Sequence, residues 1–372
     1  MLPTYDVTVY QPQSVTKTNS LPTFAHYMPW FGSKEYSGSW THWGNNADNF
    51  VSPGKRDIPM VYYPLIDLYD SNDPAYMEYA LLCMKLSGID GIFIDYYSEM
   101  QLYDYPFDFK RTTAAMDMAD KVGLKYAVVY EDNILTAVYN ADQGVHPLTY
   151  YLTNNVNYLK KNIFNRSNYL MVNGKPLFMI FGPSANLTGT QWRSVIQQDV
   201  SFVSVFWKPQ DAVFKASVDG TMAWTGQSSA TNYELDQCLA NYSLCIAGAM
   251  PGFETVPSTS NNADPRNGDN FREALNYAKT KNPTLLQIPT WNDWGEGTNI
   301  EPSVELGYQR LQIVQQFLGV QYTTDDLALC VQLYQKRKQY KGKQYENQVL
   351  DQVFYYIVSL QMDKARSLIA TI

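Results

Sequence analysis

The sequence predicts an α/β fold, a (β/α)8 or TIM barrel with a C-terminal helical appendage. Short apolar runs rich in β-branched and aromatic residues recur along the chain, and segments with helical spacing separate them. Most of these runs are continuous instead of alternating, as expected of parallel strands that are buried on both faces. A chain of 372 residues suits one such barrel with an addition. We therefore predict a barrel over residues 1–320 and an appendage over residues 321–372.

Eight apolar runs are predicted to form the barrel strands. A ninth run, Ile58–Pro64, is interpreted as part of a long first loop because Pro59 and Pro64 flank it. The eight predicted strands are Phe24–Pro29, Gly91–Tyr97, Lys125–Glu131, Pro176–Gly182, Ser201–Trp207, Gly220–Thr225, Leu244–Pro251 and Leu285–Trp291.

Helices are predicted between the strands from apolar spacing and from start signals such as Ser71–Asn72–Asp73. Gly88 and Gly123 are expected to end helices just before the next strands. The predicted helices are Pro74–Leu86, Thr112–Lys121, Pro147–Lys161, Thr190–Gln198 and Asn270–Thr280.

The sequence changes character after Gly319. Thr323–Asp326 has the pattern of a helix start with acids in the first turn, and apolar residues then recur at helical spacing, with a break at Gly342. The basic run Lys336–Lys338 is expected to form a solvated helix face. Nothing in this appendage suggests catalysis, and its expected role is to pack on the barrel or on a neighbour.

Composition excludes several classes of function. A net charge of −8 and a pI near 5.0 oppose binding to nucleic acid, which requires a basic face. We find no apolar run long enough to span a membrane and no signal-peptide pattern at the start. The 30 Tyr and 8 Trp supply flat ring faces suited to stacking under sugars, although rings also fill protein cores.

The cysteines and histidines do not suggest a metal site or a cofactor. The four cysteines form no CxxC pattern, and a three-histidine metal centre would need all three histidines of the chain. Cys238 and Cys245 are close enough in sequence to pair, but we expect free buried thiols.

Acids and aromatic residues collect where the predicted strands end, which is the active-site face of such barrels. The sequence offers no Ser-His-Asp or Cys-His set there, and no phosphate-binding glycine motif. Glycoside cleavage requires paired carboxyls, since one protonates the leaving oxygen and the other serves as base, nucleophile or charge stabiliser. Aromatic rings beside such a pair would hold the sugar.

The strongest candidate pair follows the last strand, in the stretch Thr290–Pro302, TWNDWGEGTNIEP. Asp293 and Glu296 are three residues apart, and in a helical turn their Cβ atoms would lie roughly 5–6 Å apart on one face. Two carboxyls this close do not both ionise easily, so one pKa is expected to rise and to suit a general acid. Capping of a helix N-terminus is the alternative role for these acids.

This stretch resembles the signature of glycoside hydrolase family 99, Trp-Asn-Glu-Trp-His-Glu-Gly-Thr-Gln-Ile-Glu. Four further motifs that precede this stretch occur in the same order as in that family: HYMPWFG at residues 26–32, GIDGIFIDYY at 88–97, VNGKPLFMIFG at 172–182 and MPGFE at 250–254. The stretch is also similar to that of the family 71 α-1,3-glucanases, Trp-Asn-Asp-Tyr/Trp-Gly-Glu-Ser. The resemblance covers about residues 22–318.

The family 99 resemblance implies a retaining endo-α-mannosidase on a (β/α)8 barrel. Carried onto this chain, it makes Asp293 the base towards the sugar 2-hydroxyl and Glu296 the general acid/base. Asp293 stands where family 99 has Glu, and Gly295 stands where it has His. Both departures match family 71, whose members invert, whereas Gly297–Glu301 matches family 99.

Other residues at the strand ends are predicted to contact substrate. Core packing is the alternative for each aromatic ring, and a buried, hydrogen-bonded acid is the alternative for Asp95. Asn292 is expected to shape the stretch Thr290–Pro302 more than to touch substrate. Glu301 and Glu305 are expected to be solvated or to cap a helix. The predicted substrate-binding residues are Glu131, Asp95, His26, Tyr27, Trp30, Trp224, Trp291 and Asn292.

We therefore predict a glycoside hydrolase that cleaves internal α-glycosidic bonds of a polysaccharide, with α-mannan the first choice and α-1,3-glucan the second. No metal, cofactor, nucleic acid or membrane span is expected. A periplasmic or extracellular location is expected because polymers do not cross membranes. Two alternatives stay open: a non-catalytic glycan-binding barrel, and a scaffold that assembles with partners through its helical tail.

Overall fold

The computed structural model describes residues 4–206, 212–224, 228–256 and 267–372. The strands in these ranges are Thr23–Tyr27 (β1), Phe50–Ser52 (β2), Lys55–Arg56 (β3), Gly91–Tyr96 (β4), Lys125–Tyr130 (β5), Met171–Val172 (β6), Lys175–Ile180 (β7), Ser201–Val205 (β8), Gly220–Met222 (β9), Leu244–Gly248 (β10) and Leu285–Ile288 (β11). The helices are Lys34–Ser37 (α1), Pro74–Leu86 (α2), Tyr105–Val122 (α3), Asn133–Ala141 (α4), Leu148–Asn162 (α5), Gly189–Ile196 (α6), Ala212–Ser217 (α7), Ser228–Asn241 (α8), Asp269–Lys281 (α9), Gln309–Leu318 (α10), Thr324–Gln339 (α11), Gln344–Val358 (α12) and Met362–Ile369 (α13).

Eight strands form a closed parallel barrel in the order β1, β4, β5, β7, β8, β9, β10 and β11, and β11 pairs again with β1. All eight predicted strands are confirmed, although each ends earlier than predicted. Trp207 and Thr225, the predicted last residues of two of them, lie outside the described residues. The run Ile58–Pro64 belongs to the long first loop, as predicted, and β2 pairs with β3 as a short hairpin in the same loop.

The register of the barrel brings the strand ends to one edge. β4 pairs with β5 from Gly91 opposite Lys125 to Tyr96 opposite Tyr130. The residues that follow these two strands therefore emerge side by side. The C-terminal ends of all eight strands point the same way because every pairing around the barrel is parallel, and this edge is where active sites of such barrels lie.

The helices begin and end where local chemistry favours it. Asp73 accepts a hydrogen bond from the backbone N–H of Ala75 at 2.9 Å and so caps α2, whose first residue is proline. Gly123 ends α3 with a φ of 80°, and a Cβ there would lie 2.8 Å from the Pro12 side chain. The five predicted helices are confirmed. Five further helices in the barrel region, α1, α4, α7, α8 and α10, are not predicted from the sequence.

The C-terminal helices are packed on the barrel. Thr323 and Asp326 form a capping box at the start of α11, as predicted, and α11 then lies along α2. The guanidinium of Arg337 binds both carboxylate oxygens of Glu78 on α2 at 2.8 and 2.9 Å. Its side chain is only 12% exposed, so the expected solvated basic face is wrong for Arg337. Lys338 likewise reaches Asp73 at 3.0 Å.

A disulfide joins Cys238 on α8 to Cys245 on β10, which corrects the expectation of free thiols. Cys83 and Cys330 are free and buried. The sequence spacing of Cys238 and Cys245 does not decide whether they are bonded, because bonding depends on how β10 lies beside α8 in the fold. In no described helix is the apolar stretch both long enough and hydrophobic enough to cross a membrane.

Reducing the disulfide is expected to lower the free energy of unfolding by about 2 kcal/mol, since the bond closes a short loop in the unfolded chain. Urea unfolding with and without reductant measures this, with Cys245→Ser as the matched variant. The same transition under both conditions in the wild-type protein would show that the two thiols are not bonded.

Candidate active site

The loop after β11 holds its acids in a turn pinned by hydrogen bonds. The backbone N–H of Asp293 donates to Thr290 Oγ1 at 2.7 Å, and Asp293 Oδ1 accepts the backbone N–H of Glu296 at 3.0 Å. The Thr290 and Thr298 hydroxyls are 2.9 Å apart and close the base of the turn. The pair therefore lies on a single tight turn, where Asp293 is both cap and candidate catalytic group.

A neighbouring loop fixes the far side of this turn. The backbone N–H of Glu254, after β10, donates to the carbonyl oxygen of Glu296 at 2.8 Å. Gly297 has a φ of 63°, and a Cβ there would lie 2.6 Å from the carbonyl oxygen of Glu254. Only glycine allows this approach, so the MPGFE segment and the acid-bearing turn act as one unit.

The two carboxyls differ in acidity. Burial raises the pKa of Asp293 to about 6, opposed by hydrogen bonds from the backbone N–H groups of Glu296 and Gly295. Burial first and the charge of Asp293 second raise the pKa of Glu296 to about 7. Between pH values of about 6 and about 7 the pair therefore holds about one proton, mostly on Glu296.

Glu131 and Asp95 meet at the ends of two adjacent strands. Glu131 follows β5 and is half-buried, and Asn133 Nδ2 donates to its Oε2 at 3.1 Å. Asp95 near the end of β4 is 2% exposed. Burial and the charge of Glu131 raise the pKa of Asp95 well above its usual range. The structure therefore brings these two predicted contacts together as a second carboxyl pair.

Trp224 and His26 form an aromatic corner inside the strand edge. The centroids of the two rings lie 4.6 Å apart in an edge-to-face arrangement, and the Phe181 ring packs against the indole with the centroids 4.8 Å apart. Burial lowers the pKa of His26 to about 3, so the imidazole is neutral at working pH. His26 is 1% exposed, whereas Trp224 is half-buried. Trp224 remains a candidate sugar platform, with His26 beneath it.

Trp30 is half-buried at the rim and stacks on His42 with the ring centroids 5.1 Å apart. His42 Nε2 lies 3.2 Å from Asp104 Oδ2, and the charge of His42 lowers the pKa of Asp293 against the effect of burial. Sequence reasoning considered His42 only as a metal ligand. Its place beside the acid pair comes from the long first loop, and no local pattern indicates it.

Tyr27, Trp291 and Asn292 lie in the core, and the structure does not support sugar stacking by the two rings. Tyr27 is 1% exposed and Trp291 is 0% exposed, so neither presents an open face. Asn292 Oδ1 accepts the backbone N–H of Met28 at 2.8 Å, and its Nδ2 donates to the carbonyl of Met28 at 2.9 Å. Asn292 therefore joins the end of β1 to the stretch Thr290–Pro302, in line with the expectation that it shapes this stretch.

Glu301 is buried, which corrects the expectation of a solvated or capping acid. It is 2% exposed and accepts a hydrogen bond from the Tyr69 hydroxyl at 2.7 Å. Burial raises its pKa well above the usual range. Glu305 is exposed and pairs with Lys55 at 2.9 Å, as expected of a solvated acid. The described residues contain no cluster of three or more His, Cys, Asp or Glu side chains able to hold a metal ion.

A parallel eight-stranded barrel with two close carboxyls at the C-terminal ends of its strands is an arrangement that suits glycoside cleavage. Residues 19–341 match the family model described as Glycosyl hydrolase family 99. The chain belongs to that family. The predicted resemblance and the predicted class of enzyme are thus confirmed.

Several curated proteins are similar to this chain. A glycoprotein endo-alpha-1,2-mannosidase of Rattus norvegicus is 24% identical over 348 residues, covering 80% of this chain and 72% of that protein. A glycoprotein endo-alpha-1,2-mannosidase-like protein of Mus musculus is 26% identical over 321 residues, covering 75% of this chain and 69% of that protein.

Solved structures share the fold. The endo-alpha-mannosidase of family 99 from Bacteroides thetaiotaomicron superposes with a TM-score of 0.64 at 19% identity, covering 83% of this chain and 98% of that chain. A glycoside hydrolase-like protein superposes with a TM-score of 0.58 at 14% identity, covering 84% of this chain and 97% of that chain. These likenesses confirm the predicted barrel.

Proposed function

We propose that this enzyme cleaves internal α-mannosidic bonds of a polysaccharide, an α-mannan, with Asp293 and Glu296 as its catalytic pair. The observation that carries the proposal is the turn after β11, which holds both carboxyls at the C-terminal edge of the barrel with Asp293 Oδ1 3.0 Å from the backbone nitrogen of Glu296. Burial raises the pKa of both carboxyls towards neutrality, which supports a role in proton transfer. The α-mannosidase names of the curated relatives support the choice of sugar. Acids with raised pKa values concentrate at catalytic sites, which favours an active enzyme over a catalytically idle barrel.

Glu296 is the general acid in this proposal. Its carboxyl keeps its proton up to a higher pH than that of Asp293, so it is the group able to protonate the departing glycosidic oxygen. Asp293 is then the base. Its carboxylate takes the proton of the sugar 2-hydroxyl as that oxygen attacks the anomeric carbon. Glu296 as carboxylate then takes a proton from the water that attacks the anomeric carbon, while Asp293 returns its proton to the 2-oxygen as the bond between that oxygen and the anomeric carbon breaks. Both carboxyls return to their starting states at the end of the cycle.

This route retains the anomeric configuration, and the first product detected by proton NMR during hydrolysis should be the α-anomer. Asp293 is one methylene shorter than the Glu of the family 99 signature and matches the family 71 pattern. A β-anomer as first product would show instead that Asp293 activates water directly, which is the inverting outcome that the family 71 resemblance implies.

Substrate contacts in this proposal come from half-buried side chains at the rim of the barrel. Trp30 and Trp224 are the candidate platforms, and Glu131 is the candidate acceptor for a sugar hydroxyl. We also propose a periplasmic or extracellular location. The disulfide between Cys238 and Cys245 supports it, since such bonds persist in oxidising compartments, and so does the size of the substrate.

The pH dependence of kcat/KM is expected to be a narrow bell. The productive form has Asp293 ionised and Glu296 protonated, so activity should fall below the pKa of about 6 and again above the pKa of about 7. Initial rates measured across pH on an α-mannan test this.

A substrate with an activated leaving group, such as a mannosyl fluoride, is the matched control because its departure needs no proton. The alkaline limb should then disappear while the acid limb stays. An alkaline limb that is unchanged with the fluoride would mean that Glu296 is not the general acid.

The endo mode of action is tested by the size of the first products. Chromatography of an early digest of α-mannan should show oligosaccharides of several lengths before any free mannose accumulates. Release of mannose alone from the outset would contradict internal cleavage.

A further inference from the structure

Asp95 carries a chemical problem that the proposed reaction does not address. Its side chain is buried, and among the described residues no hydrogen-bond donor reaches its Oδ2. A buried carboxylate oxygen without a donor is costly. A carboxylic acid in the same place has the opposite need, because its hydroxyl requires an acceptor.

Glu131 is the acceptor that the fold brings to this position. The backbone N–H of Glu131 donates to the carbonyl oxygen of Tyr96 at 3.1 Å, which continues the parallel pairing of β4 and β5 beyond their last paired residues. The carboxyls of Asp95 and Glu131 interact directly, and the two cannot both be ionised without strong repulsion. A single shared proton resolves both the orphan oxygen and the repulsion.

The groups around Asp95 decide which carboxyl keeps that proton. On its own strand end the Tyr97 hydroxyl donates a hydrogen bond to the Asp95 carboxyl, which opposes the rise of the Asp95 pKa but is outweighed by burial and by Glu131. On α3, Asp95 faces Asp108, whose Oδ1 lies 3.1 Å from the guanidinium of Arg111. On the side of β4 away from β5, β1 places Tyr27 opposite Ile94, so this neighbouring strand brings no charged group to the register next to Asp95. Asp95 is 2% exposed, whereas Glu131 is half-buried and also receives the Asn133 amide. The more buried acid is the one that stays neutral.

We propose that Asp95 is a positioning residue for Glu131: its buried carboxyl remains a carboxylic acid and donates its proton in a hydrogen bond to the Glu131 carboxylate. Glu131 is thereby kept ionised and oriented, and it accepts a hydrogen bond from a sugar hydroxyl. Asp95 itself does not touch substrate. This inference rests on the proposed function only for the sugar contact, since the proton on Asp95 is a property of the protein alone.

The first test is spectroscopic and needs no substrate. Infrared spectra are recorded for wild-type protein with and without carbon-13 in the Asp carboxyls, at about pH 8.5, where ordinary Asp side chains are ionised. Asp108 and Asp293, with pKa values of about 7 and about 6, are also ionised there. A protonated-carboxyl band that shifts with the label and is missing in Asp95→Asn is expected. A wild-type spectrum without such a band overturns the proposal.

The second test separates positioning from substrate contact and from simple space-filling. Asn retains a donor to Glu131, whereas Leu has the same shape and no donor. Asp95→Asn is expected to keep kcat/KM within about threefold of wild type, and Asp95→Leu is expected to lose roughly 10- to 100-fold. Equal, large losses in both would mean that the Asp95 carboxyl itself is needed and overturn the proposal, as would full activity in Asp95→Leu.

The two tests also keep this inference apart from the proposed function. If the enzyme cleaves no α-mannan while the labelled band is present, the proposed substrate fails and the Asp95 proton stands. If cleavage proceeds and the band is absent, the proposed function stands and the role of Asp95 fails.

Discussion

Replacing Glu296 with Gln should lower kcat/KM on α-mannan by about 10³-fold, because an amide cannot protonate the departing oxygen. The side chains have nearly the same shape, and the change removes a half-buried acid whose ionised form is disfavoured at its site. The variant should therefore melt at no lower temperature than wild type. An activated mannosyl fluoride should restore much of the first chemical step, since fluoride leaves without a proton.

Glu305→Gln is the matched control for this substitution. Glu305 lies in the same loop but is exposed and paired with Lys55, so its replacement should leave kcat/KM within about twofold of wild type. Comparable losses in both variants would place the effect in the loop as a whole. Full activity of Glu296→Gln would remove Glu296 from the catalytic pair.

Ending the chain at residue 322 should give an insoluble protein. α11 buries Leu327, Leu333 and Tyr334 together with other apolar side chains, and it covers α2, which is itself buried along most of its length. Each such side chain contributes about 1.5–3 kcal/mol on burial, so the sum approaches the whole stability of a domain. The soluble fraction on expression and the melting temperature measure this effect.

A shorter truncation after Leu360 is the control for the length of the chain. It removes α13, which buries only Ala365 and Ile369, and it should yield a soluble enzyme that melts a few degrees lower. A soluble, active protein ending at residue 322 would instead show that the barrel is complete without the helices. That outcome would favour the alternative in which the tail serves assembly, and it would support the predicted boundary at residue 320.

The barrel could be predicted because its signal is local. A parallel strand buried on both faces is a continuous apolar run, and Gly91–Tyr96 and Lys125–Tyr130 both have this pattern. The acid pair could also be predicted from the sequence, since Asp293 and Glu296 lie three residues apart in a short motif. For the same reason the start of α11 at Thr323 was predictable from its capping residues.

What could not be predicted depends on contacts between distant segments. Trp291 ends one predicted strand and Trp224 lies next to the end of another, yet only the fold decides that Trp291 is fully buried and that Trp224 is half-buried. Arg337 was expected to be solvated, but its partner Glu78 lies far away in sequence. His42 acts on the pKa of Asp293 from a loop with no regular sequence pattern.

The disulfide and the Asp95–Glu131 pair also depend on how the fold brings separate elements together. Close spacing made a bond between Cys238 and Cys245 possible, but only the return of β10 beside α8 brings the sulfurs together. Asp95 and Glu131 were each predicted as single contacts. Their pairing follows from the register of β4 and β5, which no residue pattern specifies.

Release of reducing ends from α-mannan and, in parallel, from α-1,3-glucan shows whether the Asp293–Glu296 pair hydrolyses either polymer. The wild-type enzyme is compared with a variant that carries both Asp293→Asn and Glu296→Gln. We expect the wild type to release reducing ends from α-mannan and the double variant to release none. Release by both proteins at the same rate, or by neither protein from α-mannan, would contradict the account.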